Sequence, residues 1–95
     1  MKITGLVWEE WHIKHISAGH NVKPEEVEEA CFEDENTRVL RGKGREKERL
    51  YYVLGKTLGG RHLHIVVKPL GKGKARIIKA RDMDELEKKL YREVK

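Results

Sequence analysis

The sequence is poor in the features that hold small domains together by covalent or metal chemistry. A lone cysteine, Cys31, rules out an internal disulfide, so nothing depends on an oxidising compartment and a cytoplasmic location is expected. No apolar run approaches the length that spans a bilayer, and the opening MKITGLVWEE lacks the pattern of a secretory leader, so no membrane partner is expected. Aromatic residues make up 6% of the chain, which limits the core to aliphatic packing with few large rings. His12, His15 and His20 cluster without a cysteine pair or a suitably spaced carboxylate to complete four ligands. Neither a metal nor another cofactor is therefore expected.

Charge is what the sequence does have, with charged residues at 39% against 38% apolar. The apolar residues fall into periodic stretches, which favours a folded chain over a disordered one. Ninety-five residues make one domain, 1–95, burying roughly 60–65% of the surface its unfolded form exposes, so the core must be thin. The charge is also unevenly placed. Residues 1–36 carry three lysines against nine acids, a net of −6, whereas the rest carries 18 bases against seven acids, a net of +11. A basic second half suits a polyanion or an acidic protein, although a solvated Lys- and Glu-rich surface gives the same count.

Periodicity predicts an α+β domain. Met1–Val7 has the alternation of a short strand, and Trp8 to about Ser17 has helical spacing, broken by Ala18–Asn21. A second helix starts at Pro24, where a missing N–H costs nothing and Glu25 and Glu26 complement the helix dipole; Val27, Ala30 and Cys31 form its apolar stripe. Four strands follow, at Thr37–Arg41, Arg49–Leu54, Arg61–Lys68 and Lys74–Arg81, joined by short glycine-bearing segments. Such short connections favour an antiparallel four-stranded meander. A last helix is expected after Asp82 as cap with Glu85 completing the capping box, and with Met83, Leu86, Leu90 and Val94 on one face. Two N-terminal helices and this C-terminal helix are expected on one side of the sheet.

Alternation divides the strand residues into two sets. Leu50, Tyr52, Leu54, Leu63, Ile65, Val67, Ile78 and Ala80 are expected against the helices. The other set is Arg49, Tyr51, Val53, His62, His64, Val66, Ile77, Lys79 and Arg81, a cationic and imidazole-bearing face. An antiparallel sheet with one wet face shows the same alternation without any function. Chemically the face suits RNA: Lys43 and Arg45 of the GKGREKE loop can engage phosphate, and Tyr51 can stack on a base. Cleavage by a 2′ hydroxyl needs a proton acceptor, a charge stabiliser and a proton donor. His62 and His64 suit the proton transfers; Arg49, Lys79 and Arg81 suit the charge.

Three other signals point elsewhere and are weak. Gly55-Lys56-Thr57 matches the end of a P-loop, but the first glycine of that motif would fall at Leu50 and no helix is predicted next. Cys31 lies on an apolar stripe without basic neighbours, which fits core better than nucleophile. Trp8 and Trp11 fit packing better than a binding platform.

In order and content these segments resemble the BrnT family from Trp8 to the C-terminus. The shared features are Trp8-Glu9, then His20-Asn21-Val22 ahead of PEEVEEACF, then Glu48-Arg49 leading into a strand that ends at Gly55. The most specific is Arg76-Ile77-Ile78-Lys79-Ala80-Arg81-Asp82-Met83 with a late Tyr91. Asn21 stands where that family has glycine and Lys79 where it has a small polar residue. The resemblance implies a RelE-like fold and a type II toxin whose ribonuclease activity arrests translation; together with the basic polar face it leads to the expectation of cleavage without a metal. It implies an antitoxin partner, RNA as substrate, and operator DNA bound only through the toxin-antitoxin complex. Arg49, Arg76, Arg81 and Tyr91 are the positions it carries over. Arg76 falls on the apolar set by simple alternation, so either it reaches out from the strand's start or a bulge shifts the register. Two other readings remain: an RNA-binding or regulatory domain of this fold without activity, and a module that docks an acidic protein.

Overall fold

The structure, a computed structural model, describes residues 3–8, 21–42 and 49–93. Expectations for the first helix, for His12, His15 and His20, for Lys43 and Arg45, and for Val94 lie outside these residues. Five strands form one mixed sheet: β1 (Gly5–Val7), β2 (Arg38–Arg41), β3 (Tyr51–Lys56), β4 (His62–Gly71) and β5 (Lys74–Asp82), in the order β1-β5-β4-β3-β2. Strands β2 to β5 are the antiparallel meander that the short connections require. The four-stranded expectation needs correction: β1 adds a fifth strand, parallel to β5, with Leu6 opposite Ala75 and Val7 opposite Arg76.

Helix α1 (Pro24–Glu28) opens at Pro24, and the Lys23 N–H donates to Glu26 Oε1 at 3.0 Å. It continues into a π-helical turn, Glu29–Glu33. Val22, Val27 and Ala30 are fully buried against Val53, Leu63, Ile65, Val67, Ala75, Ile77 and Ala80, which is the main core. Gly55 sits under this turn, where a Cβ would collide with the Ala30 carbonyl. Its lack of a side chain lets the helical segment lie flat on β3. Asn21 takes the left-handed backbone (φ 54°) that glycine would adopt freely, and its carbonyl accepts from Arg61 Nη1 at 2.8 Å.

Helix α2 (Glu85–Arg92) packs on the other side of the sheet. Met83 and Tyr91 are buried against Leu54, with Leu40 beside them, and none of these belongs to the main core. The expectation of three helices on one face is thus wrong. Its cause is the parity of β3: Leu54 pairs with His64 and Tyr52 with Val66, while Val53 pairs with Ile65 and Tyr51 with Val67. Directly paired residues share a face. Tyr52 and Leu54 therefore join the imidazole side, and Tyr51 and Val53 join the core side. With apolar residues at four successive positions, 51–54, β3 offers alternation no contrast to read.

The helix cap also differs from expectation. Asp84, not Asp82, accepts from the Glu87 N–H at 2.8 Å, and Glu87 Oε1 accepts from the Asp84 N–H at 2.9 Å. The sequence contains two overlapping Asp-x-x-Glu boxes, and strand pairing chooses between them. Asp82 pairs with Leu63 at the end of β5 and takes Arg61 Nε at 2.6 Å. With the helix starting two residues later, Leu86 (74% exposed) and Leu90 (40%) face outward. Eight residues are fewer than an isolated helix needs in water, so α2 depends on its tertiary contacts. Those are largely polar: the Tyr91 hydroxyl donates to Asp34 Oδ2 at 2.7 Å, and Arg38 Nη1 donates to the Leu90 carbonyl at 2.9 Å.

Candidate functional site

A register shift between Val66 and Val67 settles where Arg76 points. Val66 pairs with Lys79 but Val67 pairs with Ile77, so Ile78 is the extra residue of a bulge in β5. Beyond the bulge Ile77 and Ala75 are buried in the core, and Arg76, opposite Lys68, returns to the face that carries Lys79 and Arg81. Ile77 was expected on the polar face and Ile78 in the core; instead Ile77 is buried in the core and Ile78 is the half-buried, unpaired residue of the bulge. Simple alternation cannot anticipate this, because one inserted residue inverts every side chain after it.

The resulting face has two parts. At one end α2 covers His62, His64 and Leu54; at the other, Tyr52, Val66, Lys68, Arg76 and Lys79 are left half-buried or exposed. Arg81 stands at the border. Its Nη1 and Nη2 donate to Glu87 Oε1 at 2.9 Å and Oε2 at 2.8 Å, a two-pronged contact that fixes the guanidinium plane. This bond raises the Arg81 pKa above its ordinary value despite partial burial. Burial alone would raise the Glu87 carboxyl, but hydrogen bonds from Arg81 and from the Asp84 N–H hold it below the ordinary carboxylate range.

His64 is opposite Arg81 and 7% exposed, with Nε2 3.6 Å from Glu87 Oε2. Its Nδ1 is buried without a hydrogen-bond partner. Burial lowers its pKa, with Glu87 opposing and Arg81 adding to the effect, so the ring is neutral at neutral pH. The Tyr52 ring lies 4.9 Å from it, tilted by 58°. Tyr52 fits because residue 42 is glycine: a Cβ there would come within 2.7 Å of its ring. His62, two residues along β4, meets Tyr91 edge-on at 5.4 Å, and its pKa is lowered by burial and by Lys56, Lys88 and Arg92.

The structure therefore gathers His64, Arg76, Lys79 and Arg81 on one face, with His62 under α2. Tyr51 is a correction: it packs against the main core, and Tyr52 holds the position beside the imidazole. Arg49 precedes β3 and is exposed, outside the sheet ladder. Tyr91 is an anchor of α2. Burial and the bond to Asp34 push its hydroxyl up to about 12, while Tyr91 and the backbone N–H groups of Asn36 and Lys56 outweigh burial to keep Asp34 below its ordinary range. Glu87, Tyr52 and Lys68 were missed. The Asp84-Glu87 box was a readable signal for Glu87; the other two needed the register.

The signals at Gly55-Lys56, Cys31 and Trp8 fit this picture. Gly55 and Lys56 end β3 and are followed by the turn into β4, and no helix follows as a P-loop needs. Burial and Glu28 push the Cys31 thiol up to about 12, which makes it unreactive. Trp8 packs on the core and donates to Glu28 Oε2 at 3.1 Å. Among the described residues no group of three or more His, Cys, Asp or Glu is placed to hold a metal, and no helix is long and apolar enough to cross a membrane.

Comparison with known proteins finds a family model and solved structures that match. The family model described as "Ribonuclease toxin, BrnT, of type II toxin-antitoxin system" matches residues 8–87. The crystal structure of the Brucella abortus ribonuclease toxin BrnT superposes with a TM-score of 0.65 at 18% identity, over 85% of this chain and 97% of that one. No curated protein sequence matches.

Proposed function

The chain belongs to the BrnT family of ribonuclease toxins of type II toxin-antitoxin systems, and from that premise we propose that its bulged basic face cleaves RNA without a metal, arresting translation. The observation that carries this reading is the bulge in β5, which sets Arg76 beside Lys79 and Arg81 next to His64. Arg76, Lys79 and Arg81 provide for the phosphate and for the charge that grows on it. Neutral His64, which substrate reaches once the covering start of α2 moves aside, takes the proton of the 2′ hydroxyl; the O2′–P bond forms, the P–O5′ bond breaks, and Lys79 supplies the proton that the leaving 5′ oxygen takes. The products are a 2′,3′-cyclic phosphate and a 5′ hydroxyl. Tyr52, and not Tyr51, offers an aromatic surface to a base, and Arg49 with Lys68 extends the phosphate track.

Incubation with single-stranded RNA in excess chelator tests the chemistry. Cleavage ending in cyclic phosphate is expected, and intact RNA in the presence of folded protein would refute it. Expression in cells tests the translational arrest. The antitoxin is expected to cover this face, and operator DNA to be bound only by the complex; DNA binding by the isolated chain as tight as by the complex would count against that. A second reading, an RNA-binding domain without catalysis, draws on the 7% exposure of His64. His64→Gln separates the two, since it abolishes cleavage with binding kept only if the imidazole takes part.

A further inference from the structure

Resting on that ribonuclease reading, we propose that Glu87 is a positioning residue that serves two members of the site at once: one carboxylate clamps Arg81 and holds His64 as the proton acceptor. Its position at the start of α2 makes this possible. Oε1 accepts from both the Asp84 N–H and Arg81 Nη1, each at 2.9 Å, and Oε2 accepts from Arg81 Nη2 at 2.8 Å while standing 3.6 Å from His64 Nε2. The helix cap thus fixes the carboxylate, the carboxylate fixes the guanidinium by hydrogen bonds, and one imidazole nitrogen lies just beyond hydrogen-bond reach of it, within ion-pair distance once the ring is protonated. The other nitrogen, Nδ1, is the buried atom without a partner.

This is the division of labour a carboxylate-histidine pair needs. A carboxylate beside one ring nitrogen sets the tautomer and stabilises the imidazolium that forms when the other nitrogen takes a proton. The groups facing His64 are Glu87 of α2, Asp84 ahead of it, and Arg81 and Lys79 of β5, with the Tyr52 ring of β3 against it. Glu87 and Asp84 favour the protonated ring; Arg81, Lys79 and burial oppose it. Glu87 also partly neutralises Arg81, so its loss removes a favourable charge and exposes an unfavourable one.

Glu87→Gln is the test, because a glutamine at this position still accepts from the Asp84 N–H and keeps the capping box. The His64 ring is titrated by NMR in wild type and variant, assigned by its absence in His64→Gln, and cleavage of single-stranded RNA is followed from pH 4.5 to 8. In Glu87→Gln the His64 titration should move to lower pH. The acid limb of the rate profile should move with it, and kcat should fall on the order of a hundredfold with KM little changed. Glu87→Asp should recover part of the rate and bring the titration back toward wild type; it also carries the test should Glu87→Gln fail to fold. An unmoved titration, or a loss of rate equal at every pH and matched by lost stability, overturns the proposal in favour of a purely structural carboxylate. If the wild type cleaves no RNA at any pH, the ribonuclease reading falls and takes the catalytic role with it. The titration then decides only whether the pair is coupled.

Discussion

The two faces of this sheet are held to their helices by different physics. Under α1 the contact is built on ten buried apolar residues in one cluster, with polar bonds such as Arg61 to Glu26 at its margin; under α2 a small cluster of Leu54, Met83 and Tyr91 is supplemented by hydrogen bonds and ion pairs. Apolar burial does not titrate and is not screened, whereas a contact built from Asp34, Tyr91, Glu87, Arg81 and His64 responds to both pH and ionic strength. The first face supplies stability, and the second keeps charged groups in fixed geometry at the edge of an open surface. Two arginines show the same contrast. Arg61 ties the Asn21 carbonyl, Glu26 and Asp82 together away from the basic face, while Arg81 is held by Glu87 beside it.

Mutations can break the contrast from either side. The largest effect on folding is expected for Ile65→Ala, which should cost about 2–5 kcal/mol as a core cavity, read from urea unfolding. Arg81→Ala should leave the fold in place but lower kcat on RNA by about 10²–10³-fold, the usual loss for a removed charge-stabilising donor. If the two faces were equivalent, these two variants would fail in the same way. Gly55→Ala, pressing a methyl into the Ala30 carbonyl, should destabilise by about 1–3 kcal/mol, measured as a lower urea midpoint.

A pH series sharpens the comparison. His62 and His64 both have pKa values lowered from 6.5, so the unfolded chain binds protons that the folded one does not. Their contribution is full above the unfolded value and is lost as pH falls below 6.5 through the folded values. The urea midpoint should therefore drop between pH 7.5 and 5, and His62→Gln/His64→Gln should flatten that slope. Asp34, with its pKa lowered, adds a further loss at more acidic pH, which Tyr91→Phe should reduce. The smallest effect is that of Lys79→Ala on binding: the slope of log affinity against log salt for single-stranded RNA should fall by about 0.7.

Much of this was legible in the residues. The four meander strands lie within two or three residues of their expected bounds because glycine-bearing turns and alternation mark them. The Pro24 helix start follows from proline's missing donor. His64, Lys79 and Arg81 share a face because β4 alternates sharply and the bulge comes before Lys79. What failed did so where the pattern carries no contrast. Tyr51 and Tyr52 are chemically alike and sit in an apolar run, and Asp82 and Asp84 offer equally good caps.

The sequence by itself determined the strands, the basic polar face and the family, since these depend on local alternation, turn chemistry and the order of short motifs. Tertiary structure alone decided that the C-terminal helix crosses to the basic face, that Ile78 bulges and returns Arg76 to it, and that Glu87 joins Arg81 to His64. Each of these follows from strand register, a property of pairs of strands: one residue of slip inverts a face, and no single strand carries the information that fixes it.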